Sequence, residues 1–300
     1  MNTNISLEAL EVIDAIARKG SFAAAAESLH RVPSAITYTV RNLEEAMGVT
    51  LFDRSGHRAV LTESGEELLR EGRHLLRAAN ELELRVKRVA TGVETELSVA
   101  LSDLLRIEAI YPILQDFYAE GFGTRIRLLR EVFGGSWDAL ISGRADISIG
   151  APGEGPPGGG YSSRALGNLE FVFAIAPHHP LAQLPEPLQN EDIRQYRSVS
   201  AADSSRNLPP RTSGILSGQD VLTLPDMQSK LAAQIAGLGV GYLPRALAER
   251  HAIRGELIIR RVAENRPEAQ GYLAWRSGGG KAQQWLLKRL EKLTLEQLAL

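Results

Sequence analysis

The sequence predicts an all-α unit of three short helices with a small β wing, one long helix behind it, and then an α/β region in two lobes. Three observations predict this order. Apolar residues recur at helical spacing in three short stretches before Gly48. An apolar repeat of seven residues runs from Leu68 to Val89. Beyond Gly92, strand-like and helix-like segments alternate.

Residues 7–18 read as the first helix, with Leu10, Ile13 and Ala17 on one face, Ser6 as its cap and Gly20 as its stop. Ser21 caps a second helix whose inner face carries Phe22, Ala25, Ala26 and Leu29. His30-Arg31-Val32 is a short connector. Pro33 suits the first turn of the third helix, where its missing N–H is not needed. That helix buries Ile36, Val40, Leu43 and Met47 before Gly48 ends it. Val49–Phe52 and Ala59–Leu61 flank Ser55-Gly56, a turn signal, and make a small hairpin.

Residues 63–92 form one helix. Leu68, Leu75, Leu82 and Val89 share a seam, and Gly72, Ala79 and Val86 fill its alternate positions. A narrow apolar stripe with charged flanks points to a coiled-coil dimer, which makes Leu68, Leu75, Leu82, Val86 and Val89 the candidate dimerisation residues. The competing reading is a helix packed on its own domain.

The α/β region begins with strands at Leu97–Leu101, Arg125–Val132 and Asp146–Gly150, separated by helices over 104–119 and 136–142. GEGPPGGG (153–160) is a flexible loop. A second set has strands at Leu169–Ala176, Tyr196–Ser200, Val221–Leu224 and Val240–Leu243, with a helix over 226–236. Leu257–Ile259 and Tyr272–Trp275 are later strands, and 281–296 is a terminal helix. Alternation of this kind implies parallel sheets with ligands at the carboxyl ends of the strands, and two sets imply two lobes with a cleft between them.

The composition excludes several classes. With 44% hydrophobic and 23% charged residues, the chain is globular, and its length suggests two or three domains. No apolar run is long enough to span a bilayer and MNTNISLEALEV is no signal peptide, so a cytoplasmic protein without membrane contact is expected. Cysteine is absent, which excludes disulfides, thiolate metal sites and cysteine redox sensing. A net charge of −2 gives no sign of a general polyanion binder, so any DNA binding must come from local placement of charge.

The third helix has that placement. A helix-turn-helix lays its second helix in the major groove, so the outer face must offer short polar and basic groups. Ser34, Thr37, Tyr38 and Arg41 stand opposite the buried stripe, and no acid occurs from His30 to Arg41. Arg41 suits a phosphate or a guanine. At the hairpin tip, His57 and Arg58 suit the minor groove or a phosphate. Arg31, Pro33 and Arg54 complete the candidate DNA-binding set.

The stretch GSFAAAAESLHRVPSAITYTVRNLEEAMGVTLFDRSGHRAVLTESG resembles the N-terminal domain of the LysR-type transcriptional regulators. That family's elements stand here at its spacing: Ala23 to Leu29, Ser34-Ala35-Ile36-Thr37, Leu43-Glu44, Gly48, Leu51-Phe52, Arg54, Leu61-Thr62 and Gly65. GRADISIGAP (143–152), HHPLA (178–182) and GLGVGYLP (237–244) extend the resemblance along the chain, and RVPSAITYTV and LFDRSGHRA are similar to one subgroup with an enterobacterial member. The resemblance implies a winged helix-turn-helix over 1–65, a dimerisation helix over 66–92 and, over 93–300, a two-lobed effector domain like the periplasmic binding proteins. Lobe I would take 96–161 and 267–300, and lobe II 162–266. It also implies a homodimer or a tetramer on promoter DNA, a small organic effector, and contact with RNA polymerase. Pro33 and Tyr38 depart from the family's frequent Gln and Arg, so base preference does not transfer.

Placed on the strand and helix ends, the candidate effector-binding residues are Ser102, Asp103, Glu131, Val132, Ser200, Ala201, Met227 and Gln228. A helix start at Met227-Gln228 favours a carboxylate, whereas Asp103 and Glu131 favour a cationic or hydroxylated ligand. Other readings stay open: Ser102 or Asp103 as a helix cap, Glu131 paired with Arg127 or Arg130, and Phe133 and Trp137 either at an aromatic ligand or in the core.

Gly237-Leu238-Gly239-Val240-Gly241 precedes a strand where a dinucleotide loop should follow one, and reads as a helix-to-strand turn. His178-His179 reads as a loop contact. No catalytic constellation, cofactor or metal site is expected. Two readings compete with an effector-controlled regulator: a regulator that binds DNA without a ligand, and a solute-binding protein or enzyme with an N-terminal assembly module.

Overall fold

The computed structural model describes residues 5–53, 59–264, 266 and 268–300, with the backbone alone at 84, 85, 87 and 88. The chain forms two compact units, Met1–Lys87 and Arg88–Leu300.

In the first unit, α1 (Leu7–Lys19) starts where the Ser6 hydroxyl accepts the Ala9 N–H at 3.1 Å and stops at Gly20, whose φ is +75°. The Ser21 hydroxyl caps α2 (Phe22–Ser28) through the Ala24 N–H at 3.2 Å. Pro33 opens α3 (Pro33–Met47) and Gly48 closes it at φ +68°. The short strands β1 (Phe52–Asp53) and β2 (Val60–Leu61) pair antiparallel. One core unites Leu10, Ile13, Ile16, Ala25, Ile36, Val40 and Leu43 with Leu51, Phe52 and Leu68. Met47, expected in it, is 37% exposed and stands outside that core.

The long helix is α4 (Glu63–Thr91). Its first half belongs to the unit's own core through Leu68 and Leu69. A Cβ on Gly72 would fall 2.7 Å from Leu10 Cδ2, so glycine lets α4 approach α1 closely, and Arg73 bonds Asp14 of α1 at 2.8 Å.

The second unit opens with β3 (Glu96–Ser102), α5 (Tyr111–Ala119), β4 (Arg125–Glu131), α6 (Gly135–Ile141), β5 (Ile147–Pro152), β6 (Tyr161–Leu169) and β7 (Phe171–Ile175). Then come α7 (Asn190–Arg194), β8 (Ser198–Ala201), β9 (Val221–Leu224), α8 (Met227–Ile235), β10 (Gly241–Pro244), α9 (Arg245–Ile253) and β11 (Ile258–Arg260). The unit ends in β12 (Ala269–Arg276), α10 (Lys281–Leu290) and α11 (Leu295–Leu298). One lobe holds a five-stranded sheet in the order β4-β3-β5-β12-β6, and the other holds β10-β7-β11 and the pair β8-β9.

The sheets are mixed, not parallel throughout. Strands β3, β4 and β5 run parallel, as do β8 and β9. Strand β12 returns from the other lobe, inserts between β5 and β6, and is antiparallel to both; β7 is antiparallel to β10 and to β11. Tyr161–Leu169 therefore stands in the first lobe's sheet, although 162–169 were expected in the second. The helices expected at 104–119 and 281–296 are shorter. The first becomes a 3-10 turn at Ile107–Ile110 and then α5, with Pro112 in its first turn. The second breaks after Leu290 and restarts where Thr294 and Gln297 form a capping box.

Candidate DNA-binding face and effector cleft

Along α3, Ser34, Thr37, Tyr38 and Arg41 are all exposed, at a spacing that puts them on one side of the helix, and Ile36, Val40 and Leu43 turn into the core. Tyr38 is 66% exposed although aromatic. The Thr37 hydroxyl donates to the Pro33 carbonyl at 3.0 Å, and Arg41 Nε bonds Glu45 at 2.6 Å. Both members of that ion pair are in water, so it is weak and a phosphate can replace Glu45. Arg31 beside Pro33 pairs with Glu8 of α1. Arg54, His57 and Arg58 lie outside the described residues.

What holds α3 against the wing was not read from the sequence as a role. The Glu44 carboxylate accepts the N–H groups of Leu51 and Phe52 at 2.7 and 3.3 Å, tying the end of α3 to β1. The Thr62 hydroxyl donates to the Thr50 carbonyl at 2.7 Å and accepts the Gly65 N–H at 3.1 Å, so it caps α4 and anchors the wing together. At Gly65 a Cβ would stand 2.2 Å from the Leu51 carbonyl oxygen, which only glycine avoids. These contacts give the LE and LT-x-x-G wording a physical reason.

Farther along α4, Leu75, Leu82, Val86 and Val89 are 53–81% exposed, an apolar row along the helix. Leu68, expected in the same row, is buried in the N-terminal core instead.

In the second unit, Ser102, Asp103, Val132, Ala201 and Met227 line one cleft between the lobes. The Asp103 carboxylate accepts the Met227 N–H at 2.8 Å, so the start of α8, expected to hold a ligand carboxylate, is already occupied by this chain's own acid. Burial pushes the Asp103 pKa up to about 6, against the opposing pull of that N–H.

Glu131, Ser200 and Gln228 are not in the cleft lining. Glu131 is buried, paired with Arg144 and accepting the Ser204 hydroxyl at 2.5 Å, rather than bound to Arg127 or Arg130 at the surface. Arg130 instead donates to the carbonyls of Asp103 and Leu105. Ser200 is buried within β8, its hydroxyl donating to the Ala201 carbonyl at 3.3 Å, and Gln228 is exposed. Trp137 belongs to the core: it is fully buried, its indole N–H donates to the Pro152 carbonyl at 3.0 Å, and Tyr161 and Tyr272 pack on its ring. Phe133 does line the cleft, at φ +47°.

Sequence reasoning missed two cations of the lining, Lys230 and Arg266. Lys230 falls on the inner face of α8, where a lysine gives no apolar signal. Arg266 follows the last strand of the second lobe. It also missed Asp203, whose carboxylate accepts the N–H groups of Gly134 and Gly135, each at 3.1 Å, and pins the segment after β8 onto the start of α6.

The smaller motifs are structural. Gly237–Gly241 joins α8 to β10 as a turn, and His179 Nδ1 accepts the Leu181 N–H at 3.2 Å. Among the described residues no helix is long and apolar enough to cross a membrane.

Comparison with known proteins agrees with this architecture. Residues 7–66 match the lysR-family bacterial regulatory helix-turn-helix protein, and residues 90–294 match the LysR substrate binding domain. The chain is 40% identical over 290 residues to YhaJ of Escherichia coli K12, a probable HTH-type transcriptional regulator, covering 96% of this chain and 97% of that one. It is 41% identical over 269 residues to YeeY of the same strain, an uncharacterized HTH-type transcriptional regulator, covering 90% and 87%. In fold it matches full-length CbnR complexed with its target DNA, at TM-score 0.60 and 19% identity, covering 96% of this chain and 99% of that one. The chain belongs to the LysR family: it is a DNA-binding transcription regulator with a C-terminal effector-binding domain, and not an enzyme.

Proposed function

We propose that this regulator reads promoter DNA with the outer face of α3 and changes its grip when an effector enters the cleft of the second unit. Ser34, Thr37 and Tyr38 meet base edges, Arg41 and Arg31 meet phosphate, Pro33 sets the start of the helix, and the wing residues Arg54, His57 and Arg58 reach the flanking backbone or minor groove. Two copies join through the exposed row Leu75, Leu82, Val86 and Val89, which presents two reading helices to a two-fold site, and two such dimers form a tetramer. The protein acts in the cytoplasm, where promoter and RNA polymerase are, with the reading domain over 1–65, the dimer helix over 66–92 and the effector domain over 93–300.

The observation that supports effector control is the meeting of Ser102, Asp103, Val132, Ala201 and Met227, drawn from both lobes, in one cleft. A ligand that touches both lobes favours one lobe arrangement over another, and differential contact is what shifts an equilibrium. The test is promoter occupancy in cells for the parent protein and for Ala201→Phe, which fills the cleft. The parent should change occupancy with growth condition while the variant stays constant and still binds DNA in a gel shift. Equal variation in both overturns the reading and favours a regulator that works without a ligand.

A further inference from the structure

We propose that the effector is a small organic anion, a carboxylate on an apolar body, held by Lys230 and Arg266. This rests on the reading above that the cleft is the effector site, and it names the chemical class that the site takes.

Two cations that make no hydrogen bond or ion pair among the described residues carry the inference. Lys230 lines the cleft with only 5% of its surface exposed. Arg266 lines the same cleft, its guanidinium 3.9 Å above the Phe171 ring. Among the described residues, neither makes a hydrogen bond or an ion pair. Burial, and then the neighbouring Arg266 charge, brings Lys230 down to about 7, and burial lowers Arg266 as well. A buried cation without a partner costs several kcal/mol by order of magnitude. Lys230 is such a cation, and the half-buried Arg266 near it adds to a positive site that an incoming anion completes.

The acid of the cleft offsets that charge only in part: Asp103 attracts Lys230 but makes no ion pair with it, and its carboxylate already accepts the Met227 N–H. A cationic ligand would meet Lys230 and Arg266 directly. A neutral one would exclude water from them and return at most an uncharged acceptor, a weaker partner for a charged donor than a carboxylate. The rest of the lining suits an apolar body: Leu104, Phe133, Phe171 and Met227 face the same space, with Ser102 and Ser213 as hydroxyl contacts. Phe133 is held at a φ rare for a non-glycine residue, and such strain clusters at ligand clamps.

The test uses purified full-length protein and matched sets of probes: benzoate, benzamide and benzylamine; 3-phenylpropionate with its amide and amine; and glutarate with its diamide. Thermal shift and isothermal titration calorimetry are read for the parent, Lys230→Met, Arg266→Gln and Lys230→Arg. At least one carboxylate should bind where its amide and amine do not. Lys230→Met and Arg266→Gln should each weaken it about tenfold or more, the value of a lost charged hydrogen bond, and Lys230→Arg should retain most of the affinity. Calorimetry in two buffers near pH 8 should show proton uptake, because the bound anion restores the charge on Lys230. Binding by an amide or amine at the same strength overturns the anion assignment and leaves the effector cleft standing. Carboxylate binding unchanged in both cation variants overturns it too, since the anion then sits elsewhere. If no carboxylate in the sets binds, the assignment is overturned, and the Ala201→Phe occupancy test separately decides whether the cleft takes a ligand.

Discussion

The carboxylate of Asp103 accepts the backbone N–H of Met227 at 2.8 Å, a bond from the end of one lobe's first strand to the first turn of α8 in the other. It satisfies one of the donors that every helix leaves open at its start, and it couples the two lobes at the floor of the cleft. Asp103→Ala removes the acceptor and leaves the Met227 N–H buried without a partner. Hydrogen exchange at that amide should then rise by about tenfold or more, the equivalent of roughly 1–3 kcal/mol for an orphaned donor. Asp103→Asn, which keeps an acceptor oxygen, should exchange close to the parent. Unchanged exchange in Asp103→Ala would show that this bond does not hold the lobes.

On the DNA side, Arg41→Ala should weaken binding to the protein's own promoter region and flatten its salt dependence, because one phosphate contact removes about one unit of salt slope. Thr37→Ala should weaken it while leaving the slope nearly unchanged, as a base-edge contact does. Gel shifts at several salt concentrations separate the two, and size-exclusion chromatography should find both variants with the parent's oligomeric state. Normal binding by both would remove α3 as the reading helix.

The first unit was nearly all legible in the sequence. Ser6, Ser21 and Pro33 start helices and Gly20 and Gly48 end them, and each acts within one turn of its own position. The second unit was less legible, because its features depend on distant partners. Strand β6 reads as largely polar (YSSRALGNL), and it forms because β12 returns from the other lobe to pair with it. Helix α9 buries only Leu247 and Ala248 and so shows hardly any apolar period. At the cleft, strand and helix ends pointed to Ser102, Asp103, Val132, Ala201 and Met227, which line it. Lys230 and Arg266 carry no local mark of burial, and Glu131 went to Arg144, thirteen residues along the chain, in place of its neighbours.

The exposed row on α4 predicts the oligomer. Leu75→Glu with Leu82→Glu places two carboxylates where a partner helix would need apolar contact, and should yield monomers on sizing. Both residues are exposed within one chain, so the helical content by circular dichroism should persist. A stable dimer in the double variant would shift the interface away from this helix.

Glu44 predicts a loss of local order without loss of fold. Replacing it with Ala leaves the N–H groups of Leu51 and Phe52 without their acceptor, at roughly 1–3 kcal/mol for each donor that water does not reach. The melting point of the intact protein's N-terminal unit should fall, and DNA affinity should fall with it because the wing no longer has a fixed distance from α3. Glu44→Gln keeps one acceptor and should lie between. A variant with the parent's DNA affinity and a lower melting point would separate the wing's stability from its role in binding.

Lys230 gives the pH dependence its sign. Its pKa falls from 10.5 in the unfolded chain to about 7 in the folded one, through burial first and the Arg266 charge second. A depressed folded pKa means that the folded protein binds this proton less tightly than the unfolded chain does. The stability tied to this group is therefore fully present above about 10.5 and is lost as pH falls toward 7. Lys230→Met removes that loss, since a similar-sized apolar chain in the same place has no charge to desolvate. Without ligand, the variant should melt several degrees higher than the parent at pH 7, and the gap should narrow steadily as pH rises toward 10. Asp103 acts on a separate window: its raised pKa makes the folded state bind its proton more tightly, so its contribution is lost as pH rises from about 4 to about 6. Melting curves for both proteins from pH 6.5 to 10 isolate the lysine. An equal gap across that range would mean that Lys230 is neutralised by a partner, and the cleft would lose one of its two open cations.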